Sequence, residues 1–199
     1  MIATYSTLDR ASSYLILRLT DLRINARLFS HDAMSQLQAD LLDIANEARR
    51  EGRRLGVNKL VIAGLGGCVS PLLQTSGHQL GCAEAVVMAA QLFTQLINAL
   101  SSQFEIEIFG VTGTVQSFTG ELAVRASNAM RFIDGLVYCS LERDLRQEPG
   151  VVFRGIEEEA MLLKAGESSF LWSYHYDLDS PRDLPIQSSL SLAEVVVMD

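Results

Sequence analysis

Cysteine and net positive charge are the two things that this 199-residue sequence has little of. Its three cysteines, Cys68, Cys82 and Cys139, are odd in number and scattered, which argues against a disulfide framework or a zinc site. We expect Cys82 and Cys139 in the core, no metal or resident cofactor, and a reducing cytoplasm as the compartment. The formal net charge of −8 argues against nucleic acid or an anionic membrane as a partner.

Signals for export or membrane insertion are also missing from the pattern. The opening residues, "MIATYSTLDR", show no basic stretch followed by an apolar one, so no signal peptide is expected. The longest apolar run, "AEAVVMAAQLFTQLINAL", predicts a buried helix and not a membrane span, because polar residues interrupt it at Gln91, Thr94, Gln95 and Asn98. The 48% apolar and 20% charged composition is typical of one globular domain.

What the sequence does contain is an alternation of strand-like and helix-like segments. The strand-like segments are "YLILRLT", "NKLVIAG", "FEIEIFGVTG" and "GLVYCS". Amphipathic or apolar helices are predicted between them, over residues 34–54, over residues 82–100 and in "ELAVRASNAMRFI". The strand "NKLVIAG" is expected to be parallel to its neighbour because a helix precedes it. The pattern therefore predicts the α/β class.

The end of the first predicted helix carries a cluster of basic residues. Arg49, Arg50, Arg53 and Arg54 precede Gly56, where the helix is expected to stop. We interpret the cluster mainly as a favourable interaction with the negative end of the helix dipole, with an anion site as the less favoured alternative.

The chain changes character after Pro149. Strands are predicted in "GVVFRGI", "AMLLK", "SFLWSYHYDLD" and "AEVVVMD", with a turn at "AGES". One face of the third of these is aromatic, at Phe170, Trp172, Tyr174 and Tyr176. We expect this face in the core, with a ligand site as the less favoured alternative. We therefore predict a single domain in two parts, an α/β core over residues 1–149 and a β-rich extension over residues 150–199.

One carboxylate stands out by its position. Glu121 follows Gly113 by eight residues in "EIEIFGVTGTVQSFTGELAVRAS", which puts it after a strand and a turn, in the first turn of a helix. Such a carboxylate can be aimed at a bound substrate. It can equally be a residue that only favours the positive end of the helix dipole.

The stretch "TGTVQSFTGELA" resembles the motif of the crotonase (enoyl-CoA hydratase/isomerase-like) superfamily, close to NG-x-A-L-G-G-G-x-E-L-A. The chain keeps Gly113, Glu121 and the Leu-Ala that follows. The segment "VIAGLGGCVSPLLQ" lies where the family has its F-x-A-G-x-D loop, and "YCSLE" offers Glu142 about where the family has a second acid. The resemblance covers residues 14–145. It implies a crotonase-like ββα spiral of two roughly perpendicular sheets, followed here by the β-rich extension.

The resemblance also implies a site. In the family, two backbone N–H groups hold a thioester oxyanion while acids move protons. Carried over to this chain, Glu121 and Glu142 are the acids, and the N–H groups of Ser70 and Phe118 hold the oxyanion. The substrate-binding loop includes glycines at Gly64, Gly66 and Gly67.

The sequence departs from the family at both oxyanion donors. Ser117, Phe118 and Thr119 stand where the family has three glycines, and the Phe118 side chain crowds the approach. Pro71, which has no N–H, aligns at the upstream donor unless the register shifts by one residue to Ser70.

Two functions therefore stay open. The chain is a diverged crotonase-type enzyme acting on an acyl-CoA or acyl-carrier-protein thioester, or it is a catalytically inactive structural, regulatory or protein-interaction subunit. The resemblance further implies a homo-oligomer or a partner protein. An unrelated STAS-like α/β domain, with a single sheet, is the third alternative.

Overall fold

The computed structural model describes residues 4–7, 14–18, 31–63, 81–112, 114–115, 121–158, 160–165, 168–173 and 175–176. These residues form three helices, α1 (His31–Leu55), α2 (Cys82–Ser101) and α3 (Glu121–Leu145). The strands of the first half are β1 (Thr4–Thr7), β2 (Tyr14–Arg18), β3 (Lys59–Ala63), β4 (Glu105–Thr112) and β5 (Thr114–Val115). Those of the second half are β6 (Val151–Glu158), β7 (Ala160–Ala165), β8 (Ser168–Ser173) and β9 (His175–Tyr176).

The protein is a mixed α/β structure whose main sheet has four parallel strands in the order β2-β3-β4-β6. Neighbouring strands in this sheet follow one another along the chain with a helix between them. Because such crossovers are right-handed in about 98% of cases, this order puts all three helices on one face of the sheet. The packing agrees: Leu60 and Ile62 belong to one core with residues of all three helices, and α2 packs against both α1 and α3.

The other described strands form two smaller sheets. Strand β7 pairs in parallel with β1 and in antiparallel with β8, which confirms the hairpin that "AGES" predicted. Strand β5 pairs in parallel with β9. The described strands therefore belong to three sheets, whereas a STAS-like domain would have one. The predicted strand "AEVVVMD" lies outside the described residues.

The predicted boundary at Pro149 falls beside the main sheet. Strand β6 begins at Val151 and pairs with β4, and β7 takes the N-terminal strand β1 as its neighbour. The strands after the boundary thus pair with strands before it. The division into a core over residues 1–149 and an extension over residues 150–199 stays a prediction.

Helix α1 ends as its sequence predicts, at a glycine. Gly56 has a φ of 68°, and the N–H of Val57 donates to the Gly52 carbonyl at 2.9 Å, the reach-back bond of a Schellman motif. Arg49 has another role than the one expected. Its guanidinium donates to the Ala99 carbonyl and, at 3.1 Å, to Ser102 Oγ. Arg49 therefore supplies hydrogen bonds to polar groups at the C-terminal end of α2 and not at the end of its own helix.

The prediction of a strand at "GLVYCS" is wrong, because α3 continues through these residues to Leu145. Val, Tyr and Cys favour a strand locally, but Ile133, Val137, Leu141 and Leu145 recur every four residues and are all buried. The fourth strand of the main sheet is β6 instead. As part of a helix, Cys139 lies on the exposed side of α3, so its predicted core position is also wrong.

Candidate functional site

The carboxyl edge of the main sheet is where the predicted site segments begin. Strands β3 and β4 are parallel neighbours, with Ala63, the last residue of β3, in register with Phe109. The chain leaves both strands at the same edge. Helices α2 and α3 run back along the sheet and therefore begin at that edge too. This is the edge at which open α/β sheets bind ligands.

Glu121 is the first residue of α3, as the sequence predicts. The start of a helix carries partial positive charge and unpaired backbone N–H groups, which is why acidic residues are common at this position. The structure thus puts Glu121 at the end of α3 that belongs to the carboxyl edge of the sheet.

Glu142 does not join Glu121. Both residues are in α3, 21 positions apart, which corresponds to about 31 Å along a helix. Glu142 is exposed, near the opposite end of the helix. Glu142 was predicted as a second acid because "YCSLE" was expected at the end of a strand. These residues are part of α3 instead, so Glu142 does not lie at the end of a strand near Glu121.

The remaining predicted site residues lie outside the described residues. These are Gly64, Gly66 and Gly67 of the loop after β3, and the two oxyanion candidates, Ser70 and Phe118. Their roles stay predictions. Strand pairing shows only that the loop with the glycines and Ser70 follows β3, and that Phe118 comes after β4, the parallel neighbour of β3, and the short strand β5.

An open groove of about 450 Å³ runs along the first two turns of α2. Among the described residues, Ala83, Glu84, Val87 and Met88 line it. The Glu84 carboxylate accepts a hydrogen bond at 2.8 Å from the Gly81 N–H, so it is held at the start of the helix. Val87 is 53% exposed, which leaves an apolar side chain available in the groove.

This groove was not predicted, because the apolar pattern of α2 indicates a buried helix. A signal was present. Val87 lies four residues before Gln91, on the side of α2 that continues with the exposed Gln95 and Asn98. An apolar residue on an otherwise polar helix face is a candidate contact for a ligand or partner.

Strand pairing also brings a histidine to the predicted site segment. In β9, His175 is in register with Thr114 of β5, and β5 contacts α3. Thr114 is seven residues before Glu121 along the chain. Since His175 is 61 residues away from Thr114 in sequence, no local pattern indicates this neighbourhood.

A second residue that the sequence did not single out is Asp134, a carboxyl group on the buried side of α3. It is 2% exposed and is engaged in a polar or electrostatic contact within the protein. A charged residue between Ile133 and Val137 on an apolar helix face was the available signal. Buried carboxyl groups of this kind are kept where a partner satisfies them.

Tyr138, one turn further along α3, ties the helix to the edge strand β6. Its hydroxyl accepts a hydrogen bond at 2.8 Å from the Gly155 N–H, and its ring meets Phe153 edge-to-face with centroids 5.4 Å apart. Burial raises the pKa of Tyr138 to about 12, with smaller contributions in the same direction from Glu142 and Cys139 and an opposing one from the Gly155 hydrogen bond.

Comparisons with known proteins add no family to these observations. No family model, curated protein or solved structure matches the chain. Within the described residues, no group of three or more His, Cys, Asp or Glu could hold a metal ion. Among the described residues, helix α2 is the one helix long and apolar enough, by length and composition, to cross a membrane, and half of its apolar window is buried within the protein.

Proposed function

We propose that this protein binds an acyl thioester at the carboxyl edge of its main sheet, in the manner of a crotonase-like fold, without efficient hydratase turnover. The groove along the first turns of α2 is the observation that carries the proposal. Its volume of about 450 Å³ is in the usual range for small-molecule sites, and its lining is mostly apolar, as an acyl chain requires.

The arrangement of elements supports the crotonase-like part of the proposal. Strands β4 and β5 belong to different sheets and lead directly into α3, which is the ββα order of the spiral unit. The strands of the main sheet lie side by side in the order in which they occur along the chain, with the helices on one face. Successive turns of a spiral would have this arrangement. Glu121 begins α3, the position at which the family motif has its acid.

The proposal of weak turnover rests on the residues available for chemistry. Phe118 replaces a motif glycine, and Pro71 aligns where a donor N–H is needed. Loss of one oxyanion donor costs about a hundredfold to a thousandfold in rate. Glu142, about 31 Å along the helix from Glu121, supplies no second acid to the same site.

The proposal predicts that Val87→Asp weakens acyl-thioester binding about tenfold, because a carboxylate would have to be desolvated against the acyl chain. The measurement is calorimetric titration with crotonyl-CoA and with the pantetheine thioester of the same acid. Comparing the two ligands separates acyl binding from the repulsion between the nucleotide phosphates of CoA and a protein of net charge −8.

Leu42→Asp is the matched control, because Leu42 is also 53% exposed but belongs to α1. It should leave the affinity unchanged, and thermal melts should show both variants equally folded. If wild-type protein binds neither thioester, the acyl-binding proposal is wrong and the interaction-subunit alternative takes its place. Hydration of crotonyl-CoA should be undetectable. Rapid hydration that Glu121→Gln abolishes would instead establish an enzyme.

A further inference from the structure

The groove along α2 contains a charged side chain, Glu84, beside its apolar ones. Of the described lining residues, the other three are Ala83, Val87 and Met88, which are all apolar. Glu84 is exposed, so its carboxylate is accessible to a molecule in the groove. An acyl chain needs only the apolar residues for binding, and the carboxylate therefore acts on whatever polar or charged group that chain carries.

The Glu84 carboxylate is held in one place at the start of α2. Its Oε2 accepts a hydrogen bond at 2.8 Å from the Gly81 N–H, which is the backbone half of a capping interaction. A carboxylate has two oxygens and about four acceptor positions. No described residue donates to Oε1 of Glu84. A fixed hydrogen-bond acceptor with negative charge is thus available to a ligand in the groove.

The spacing along α2 puts this acceptor within reach of a short acyl chain. Val87 and Met88 follow Glu84 by three and four positions, so all three residues lie on the same side of the helix. One helical turn, about 5.4 Å, separates the carboxylate from the apolar pair. An acyl chain of about four atoms has a similar length. A chain that lies against Val87 and Met88 therefore has one end close to Glu84.

We propose that Glu84 determines which acyl groups the groove accepts. It favours a chain that carries an ammonium group and disfavours a chain that carries a second carboxylate. The reason is that an ammonium group can donate a hydrogen bond to Oε1 and has the opposite charge, whereas a second carboxylate has no proton to donate and is repelled. This inference rests on the proposed acyl-thioester binding and names the class of acyl group.

The test is calorimetric titration with three pantetheine thioesters of similar length, those of butyric acid, β-alanine and malonic acid. At about 0.15 M salt, charges more than about 8 Å apart are largely screened, so the comparison reports charges near the ligand. An exposed charge pair changes affinity about twofold to fivefold. Wild-type protein should therefore bind the β-alanyl thioester about tenfold more tightly than the malonyl thioester, with the butyryl thioester between them.

Glu84→Gln should lower this tenfold preference to about threefold or less. The amide oxygen that it introduces can still accept from the Gly81 N–H, so the start of α2 is kept while the charge is removed. Glu47→Gln is the matched control, because it removes the same charge from an exposed position on α1. It should leave the preference unchanged, and thermal melts should show both variants folded.

The outcomes separate this inference from acyl binding itself. If wild-type protein binds the butyryl thioester but Glu84→Gln leaves the preference unchanged, the role of Glu84 is wrong and acyl binding stands. The same conclusion follows if Glu47→Gln lowers the preference equally, because the net charge of the protein then causes it. If wild-type protein binds none of the three thioesters, the proposed acyl binding is wrong, and the selectivity proposal is overturned with it.

Discussion

Replacing Gly52 with alanine is expected to destabilise the protein by about 2–3 kcal/mol, although alanine is the better helix former. A Cβ at this position in α1 would lie 2.5 Å from both Cε1 and Cζ of the Phe104 ring. Phe104 is only 3% exposed and belongs to the shared core, so its ring has little room to move. Gly52 thus sets how closely α1 approaches the turn between α2 and β4.

Gly135→Ala provides the matched control for this prediction. Gly135 is also inside a helix, but an added Cβ there meets no atom within 4 Å. We expect it to stabilise the protein by about 0.5–1 kcal/mol. Both variants can be measured by urea unfolding, and Phe104→Leu should recover part of the loss caused by Gly52→Ala. Equal effects of the same sign from the two glycine substitutions would contradict the close contact.

Replacing Tyr138 with phenylalanine should cost about 2 kcal/mol of folding free energy. The change keeps the ring that packs against Phe153 but removes the oxygen that accepts from the Gly155 N–H. Gly155 has a φ of 120° and follows the irregularity where β6 shifts register against β4, so no strand partner can replace that acceptor without rearrangement. Urea unfolding near neutral pH measures the loss.

Alkaline pH gives an independent check on the same hydroxyl. Burial raises the pKa of Tyr138 to about 12 in the folded protein, compared with the ordinary tyrosine pKa of 10.0 in the unfolded chain. Between these values the unfolded state has lost the proton that the folded state retains, so stability must fall as the pH rises. The stability difference between wild type and Tyr138→Phe should therefore shrink from pH 10.0 towards pH 12. A constant difference would show that the hydroxyl is not buried.

The secondary structure was predictable where a hydrophobic period continues without interruption. In α1, Leu37, Leu41, Ile44 and Ala48 recur at steps of three and four, and the helix forms over those residues. The prediction failed at "GLVYCS", where the local preference for a strand competed with a helical period that began upstream. The long period prevailed because burying Val137, Leu141 and Leu145 along one face contributes more than intrinsic propensity.

The candidate site was predictable only in part, for a related reason. The position of Glu121 at the start of α3 follows from a strand, a turn and a helix that are contiguous in the chain. Pairing Glu142 with it required the wrong element. The groove at Val87 and the pairing of His175 with Thr114 depend on which surfaces other segments cover, and no window of sequence contains that information.

The amino-acid sequence by itself determined the α/β class and several of its elements. These are the parallel strand β3, the helices α1 and α2, the first residue of α3 and the β7–β8 hairpin. Each of them depends on periodicity or turns within one short segment. Only the tertiary structure decided the strand order β2-β3-β4-β6, the separation of β5 into another sheet, the distance between Glu121 and Glu142, and the exposure of Phe132. These features arise from contacts between distant segments, where the choice among possible partners is made by the packing of the whole chain.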